Sequence, residues 1–75
     1  MLSYNEIEIG DIFSNPLFED NGIDIESDWV VIGKNDDKEL IHVAPMERGA
    51  TQYYAVTAVW RESDNKMFNE SWRVN

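Results

Sequence analysis

Trp29-Val30-Val31-Ile32-Gly33, Asn35-Asp36-Asp37 and Glu39-Leu40-Ile41-His42-Val43-Ala44 succeed one another as an apolar run, a cluster of turn formers and a second apolar run. β-Branched residues suit a pleated, half-buried surface, whereas Asn and Asp tolerate the dihedrals of a tight turn. The pattern predicts a β-hairpin and, with it, an antiparallel β domain.

Toward the N-terminus, Asn21-Gly22-Ile23-Asp24-Ile25-Glu26-Ser27-Asp28-Trp29 alternates apolar and acidic residues after an Asn-Gly turn. Successive side chains of an extended strand point to opposite faces. Ile23 and Ile25 would then face a core while Asp24, Glu26 and Asp28 face outward, about 6.7 Å apart along the strand. Glu6-Ile7-Glu8-Ile9 repeats the phrase. Ser3-Tyr4-Asn5-Glu6 also fits a capping box opening a short helical turn, but the Ile-x-Ile alternation favours a strand. Gly10-Asp11 interrupts it before the adjacent Ile12 and Phe13, where a bulge or tight bend is expected. Pro16 ends the element.

Toward the C-terminus, residues 45–52 read as a loop containing Gly49. Residues 53–61 form the longest strand candidate. Tyr54, Val56, Ala58 and Trp60 share one face, and Tyr53, Ala55, Thr57, Val59 and Arg61 the other. Neither face is strongly polar, which places this strand in the centre of the sheet. Ser63-Asp64-Asn65 turns the chain. In residues 66–74, alternation groups Phe68, Trp72 and Val74 opposite Met67, Asn69, Ser71 and Arg73. A helix grouping Phe68, Ser71 and Trp72 stays open as the alternative there. The expected fold is all-β: a small antiparallel five-stranded barrel or a curved sheet.

The 75 residues make one domain, 1–75, near the lower size at which a single core supports folding. Three Trp, three Tyr and three Phe supply core material and argue against disorder. The net charge of −9 is unevenly divided. Residues 1–37 carry ten acids against Lys34 alone, whereas residues 38–75 balance five acids with five cations. Such asymmetry marks an interaction surface and opposes direct binding of nucleic acid. Without cysteine there is no disulfide or thiolate metal site. With no leader pattern and no apolar stretch near ~20 residues, the expectation is a soluble cytoplasmic protein without a membrane partner. Asn69-Glu70-Ser71 matches a glycosylation acceptor, read as chance without a secretory route.

Catalytic patterns are absent from the sequence. His42 is the sole histidine, and neither Gly-x-Ser-x-Gly nor a phosphate-binding glycine loop occurs. Carboxylate-pair catalysis needs a cleft that so short a chain hardly supplies. No enzyme is expected. Glu19-Asp20-Asn21-Gly22 invites a calcium reading, but setting Gly22 sixth in an EF-hand loop puts Leu17 at the first ligand position and Asp28 at the twelfth. No metal or cofactor is expected either. Tyr53, Tyr54, Trp60, Phe68 and Trp72 lack interleaved basic residues, which favours core over a stacking platform for single strands.

Ile9-Gly10-Asp11-Ile12-Phe13, Asp28-Trp29-Val30-Val31 and the closing stretch from Phe68 through Trp72-Arg73-Val74 together resemble small SH3-like barrel proteins carried by phages and other mobile elements. The resemblance spans most of the chain and departs from that pattern in the acidic insertion 19–28. It implies a compact barrel used for binding, in a host-cell cytoplasm, and carries over no site residues.

Function therefore rests on the acidic half. Glu6, Glu8, Glu19, Asp20, Asp24, Glu26, Asp28, Asp36 and Asp37 are the candidate partner-binding residues, aimed at a basic surface of another protein. Duplex DNA carries one charge per ~1.7 Å of axis. One acidic strand is sparser, at one per ~6.7 Å, but two side by side approach a phosphate-like density. The first expectation is an inhibitor or decoy of phage anti-defence type, a DNA mimic on a basic, nucleic-acid-binding surface. The second is a structural or assembly module docking through apolar surface, its acids serving solubility and edge protection. A homo-oligomer is compatible with both.

Overall fold

The computed structural model describes residues 2–14, 19–20, 23–24, 27–47, 51–55, 57–64 and 67–74. Its strands are β1 (Ile12–Phe13), β2 (Glu19–Asp20), β3 (Ile23–Asp24), β4 (Ser27–Asn35), β5 (Leu40–Glu47) and β6 (Ala58–Trp60). They form an antiparallel four-stranded sheet in the order β1-β4-β5-β6 and a two-stranded ladder of β2 and β3. Among the described residues the helical turns are all 3-10: Tyr4–Glu6, Glu62–Asp64 and Glu70–Trp72. The fold is all-β and antiparallel, and its sheet stays open, with β1 and β6 as edges.

The hairpin of β4 and β5 is the backbone of the molecule. Its turn spans residues 36–39, where Asn35 Oδ1 accepts from the Asp37 N–H at 3.1 Å and Glu39 adopts φ 51°. The Asn35 bond is that of an Asx-type turn, and Glu39 closes the turn in the left-handed region that few side chains enter. Against expectation, Pro45 lies inside β5 rather than in a loop. It sits opposite Trp29, and its carbonyl accepts the Tyr54 N–H at 2.9 Å, on the side away from β4. A strand residue's N and C=O point the same way, so the N–H that proline lacks also faces away from β4. No bond of that ladder is lost.

A bulge at Ile32 changes which side chains face inward. Val31 lies opposite Val43, yet Gly33 lies opposite His42, so Ile32 is the extra residue. Facing residues share a side of the sheet. Val31 therefore faces inward with Val43, and Lys34, opposite fully buried Ile41, does the same three residues later.

The main core lies on that inward face. Leu2, Tyr4, Ile7, Phe13, Val31, Ile41, Val43, Met67 and Phe68 are buried, with Trp29, Ala58, Trp60 and Trp72 packed against them. Phe68 is its hub. It meets Phe13 of β1 edge-on at 5.3 Å and Trp60 of β6 at 5.8 Å, so both edges of the sheet converge on one ring. The opposite face is also buried where Asp28 pairs with Met46 and Val30 with Ala44.

Three sequence expectations give way here. Residues 53–61 are not a central strand: β4 and β5 occupy the centre, and β6 keeps 58–60 at an edge. From Val43 to Met46 is three steps along β5, but from Ala58 back to Tyr53 is five, so the edge bulges outward. The segment's two-sided apolar character reflects exposed Tyr53, Tyr54 and Val59, not burial on both faces. Residues 6–9 are not a strand. A 3-10 turn ends at Glu6, Ile7 is buried and Ile9 is 65% exposed.

Of the segment 66–74, the described residues 67–74 give neither the strand nor the α-helix. Met67, assigned to the polar side, is buried beside Phe68, and the Asn69 side chain accepts from the Ser71 N–H at 2.9 Å to start a 3-10 turn. Ser14 N–H then donates to Trp72 O at 2.7 Å and Val74 N–H to Ile12 O at 2.8 Å. The C-terminal stretch thereby covers the outer edge of β1.

The N-terminal turn carries a pH dependence. Glu6 Oε1 accepts from the Ser3 N–H at 3.1 Å and the Ser3 hydroxyl at 2.8 Å, and these bonds hold its carboxyl below the ordinary 4.5. A depressed folded-state value stabilises the turn above the unfolded value, and that contribution fades as pH falls through the folded one. Acidification below pH ~4.5 should reduce amide protection of residues 3–7 in the wild type more than in Glu6→Gln. Parallel loss in the two proteins would show that the Glu6 carboxylate does not hold the turn.

Candidate interaction surface

The candidate acids do not form one face; the hairpin's length divides them. Nine residues of β4 span roughly 27 Å at ~3.3 Å each. At the turn end, Asp36 and Asp37 are exposed, and Glu39 joins them from the charge-neutral half of the sequence. Exposed Glu6 and Glu8 flank Ile7 on the N-terminal segment. That segment is fastened to this end through Tyr4 and Ile7 but continues along the sheet, so that Glu8 lies beside Asp11, level with Val31. Tyr4 donates its hydroxyl to Asp36 Oδ1 at 2.7 Å. Lys34 Nζ donates to Tyr4 O at 2.9 Å and Ile7 O at 2.7 Å, and rides 4.1 Å from the Tyr4 ring centroid.

At the other end, Glu19, Asp20 and Asp24 lie on the β2–β3 ladder that leads into Ser27, and exposed Glu47 sits opposite Ser27. Glu26 lies outside the described residues. So do residues 21, 22 and 25.

Asp28 is the correction. Expected to face outward, it is 7% exposed. It shares a side of β4 with Val30, and both lie against buried residues of β5, Met46 and Ala44. The alternation that predicted exposure holds only where one face of a strand is solvated, and here both are covered. Asp28→Ala should cost about 1–3 kcal/mol as a buried polar group is lost, and Asp37→Ala less than about 0.5 kcal/mol. Urea denaturation of the two variants checks this; equal small losses would mean Asp28 is not integral to the packing.

The electrostatics of the turn end explain how so acidic a half folds. Burial, then the bond to Asp36 and its charge, push the Tyr4 hydroxyl up to about 12, so it stays a neutral donor. Lys34, the one cation of the first 37 residues, bonds Ile7 O just past the 3-10 turn and adds a second donor to Tyr4 O, which also accepts the Ile7 N–H at 3.3 Å. Arg73 reaches Asp11 at 3.5 Å and Glu70 at 2.6 Å.

The other candidates divide as well. Phe68 is buried, and Trp60 and Trp72 pack on the core, but Tyr53 and Tyr54 are each 53% exposed. His42 is half-buried between Gly33 and Val59. Among the described residues, no group of three or more His, Asp or Glu is arranged to hold a metal ion, and no helix is long and apolar enough to cross a membrane.

Compared with known proteins, the chain matches no family model, no curated protein and no solved structure. The likeness to SH3-like barrels accordingly rests on its three short phrases.

Proposed function

We propose that this chain is a non-enzymatic, acidic protein-interaction domain, an inhibitor or decoy occupying a basic surface that otherwise holds nucleic acid. The disposition of Lys34 carries the reading. Its ammonium holds the N-terminal segment through Tyr4 O, Ile7 O and the Tyr4 ring, and it is the single cation among ten acids in residues 1–37, so that half keeps its whole excess of negative charge. Self-repulsion of this kind opposes compactness, while long-range attraction speeds encounter with a basic partner. Two acidic ends held roughly 27 Å apart by β4 match about eight phosphates along one DNA strand at ~3.4 Å each. A phage anti-defence protein is the setting that the three phrases suggest.

The second reading, an assembly module, draws on exposed Ile9, Tyr53, Tyr54, Val59 and Val74. One experiment separates them. The tagged protein is used to capture a partner at low ionic strength, the partner is identified by mass spectrometry, and the purified pair is titrated across salt. The decoy reading expects affinity to fall steeply with salt and duplex DNA to compete for the partner. A complex indifferent to salt and to DNA would hand the function to the assembly reading.

A further inference from the structure

Glu8-Ile9-Gly10-Asp11 is a reverse turn that leads into β1. The Asp11 N–H donates to Glu8 O at 3.0 Å and Gly10 adopts φ 99°, the combination of a type II turn, whose third position favours glycine. Two further bonds fix it: the Glu8 N–H donates to Asp11 Oδ2 at 2.8 Å, and the Gly10 N–H to Val31 O on β4 at 2.8 Å. Ile9 holds the second position, where turn chemistry favours proline and has no need of a β-branched side chain. The core does not take it either, for Ile9 is 65% exposed while Ile7 is fully buried. A bulky aliphatic group is thus held out to solvent on a backbone that is already ordered.

Val74, 61% exposed, stands beside the start of β1, where its N–H donates to Ile12 O at 2.8 Å. Ile9 is three residues from Ile12, at most about 11 Å along the chain. Four acids gather at this turn. Glu8 adjoins Ile9 and is exposed. The Arg73 guanidinium reaches Asp11 at 3.5 Å, Glu70 at 2.6 Å and Glu6 O at 3.4 Å, which brings exposed Glu6 and Glu70 into the same neighbourhood. Arg73 and, through Ile7 O, Lys34 offset two of these charges, both from partly buried positions. The exposed charge here, on Glu6, Glu8 and Glu70, is negative. The assembly reading takes Ile9 and Val74 simply as apolar surface; the acids fixed beside them restrict what that surface suits.

We propose that Ile9, with Val74, is the apolar anchor of the docking surface and seats against aliphatic side chains of the partner protein that are flanked by lysine or arginine, Glu6, Glu8 and Glu70 forming the acidic rim. This deepens the decoy reading and rests on it. Charge complementarity selects the occupant, and an apolar centre within a polar rim is the anatomy of protein interfaces. The turn is ordered before binding, which lowers the entropy lost on docking. Such an anchor also gives the decoy what a phosphate backbone lacks, a contact that salt does not screen.

The test uses three fluorescent peptides, with anisotropy read at low and at physiological salt: an amphipathic leucine–lysine helix, a leucine–glutamate helix of the same pattern, and a lysine–serine peptide with the charge of the first. Wild type should bind leucine–lysine most tightly and keep that preference at physiological salt, because apolar burial is not screened. Ile9→Ser should weaken this binding roughly five- to thirty-fold, toward the lysine–serine level, and retain the wild-type melting temperature. Ile9→Leu should bind within about two-fold of wild type, since the aliphatic volume is kept. In nitrogen-15-labelled wild type, the amide shifts caused by leucine–lysine should concentrate at residues 8–11 and 74. If Ile9→Ser binds as tightly as wild type, or the shifts lie elsewhere, the assignment is overturned while the decoy reading stands on the acids. If leucine–glutamate binds as tightly as leucine–lysine, charge does not select the partner and this surface passes to the assembly reading. If no peptide binds even at low salt, the decoy reading fails with it. Should Ile9→Ser melt early, the wild-type shift map and Ile9→Leu carry the test.

Discussion

Phe68→Ala should leave this protein close to unfolded. Phe68 is fully buried and joins the two sheet edges through Phe13 and Trp60. Truncating a buried Phe costs about 3–5 kcal/mol, part of it for the cavity left behind. A chain of 75 residues has about 4–11 kcal/mol of total stability at ~0.05–0.15 kcal/mol per residue. Urea denaturation should therefore show a midpoint near zero or a much-lowered one. Phe68→Leu should recover most of the loss, because it refills the volume. Trp60→Ala should cost less, since Trp60 is only half-buried at the β6 edge. A loss below about 1.5 kcal/mol in Phe68→Ala would mean that the sheet does not close on this ring.

The second large effect belongs to Lys34. Lys34→Met keeps the apolar stem over Tyr4 but removes the ammonium from Ile7 O and from Tyr4 O, which keeps only the Ile7 N–H. Hydrogen bonds from a charged donor contribute about 1.5–3 kcal/mol each, and partial exposure of Lys34 reduces this by screening. An overall loss of about 2–3 kcal/mol is expected. Its signature is local: amide exchange should quicken across residues 2–8 before the β4–β5 hairpin opens. Lys34→Arg should retain part of the protection through its own donors. Uniform loss of protection across the molecule would show that the N-terminal segment is not separately fastened by this ammonium. The variant also raises the net negative charge from −9 to −10, so its binding to a basic partner should strengthen slightly if the segment stays in place.

These effects show how the acidic half tolerates its charge. The N-terminal segment is secured by Lys34 and by the Tyr4–Asp36 bond, and its own turn is held by Glu6. Each contact satisfies a polar group that folding would otherwise leave without its water. Asp36 and Glu6, read from the sequence as partner-binding acids, thus have structural work besides any binding role.

By itself the sequence determined the antiparallel class, because an apolar run, a set of turn formers and a second apolar run admit few other local solutions. It determined the charge asymmetry outright. It held the capping box in Ser3 and Glu6, although the Ile-x-Ile alternation beside it pointed to a strand. What only the tertiary structure decided is which alternations have meaning. Alternation places residues on faces but does not say whether a face meets water, so Asp28, in step with Asp24 and Glu26, was buried by its neighbours on β5. A single extra residue at Ile32 turned Lys34 inward, and no local pattern announces a bulge whose partner strand lies across a turn. Pairing with β5 alone likewise put residues 58–60 at the edge rather than the centre, and Tyr53 and Tyr54 there stay exposed. Register is a property of paired strands, and pairing is settled by packing across the whole sheet.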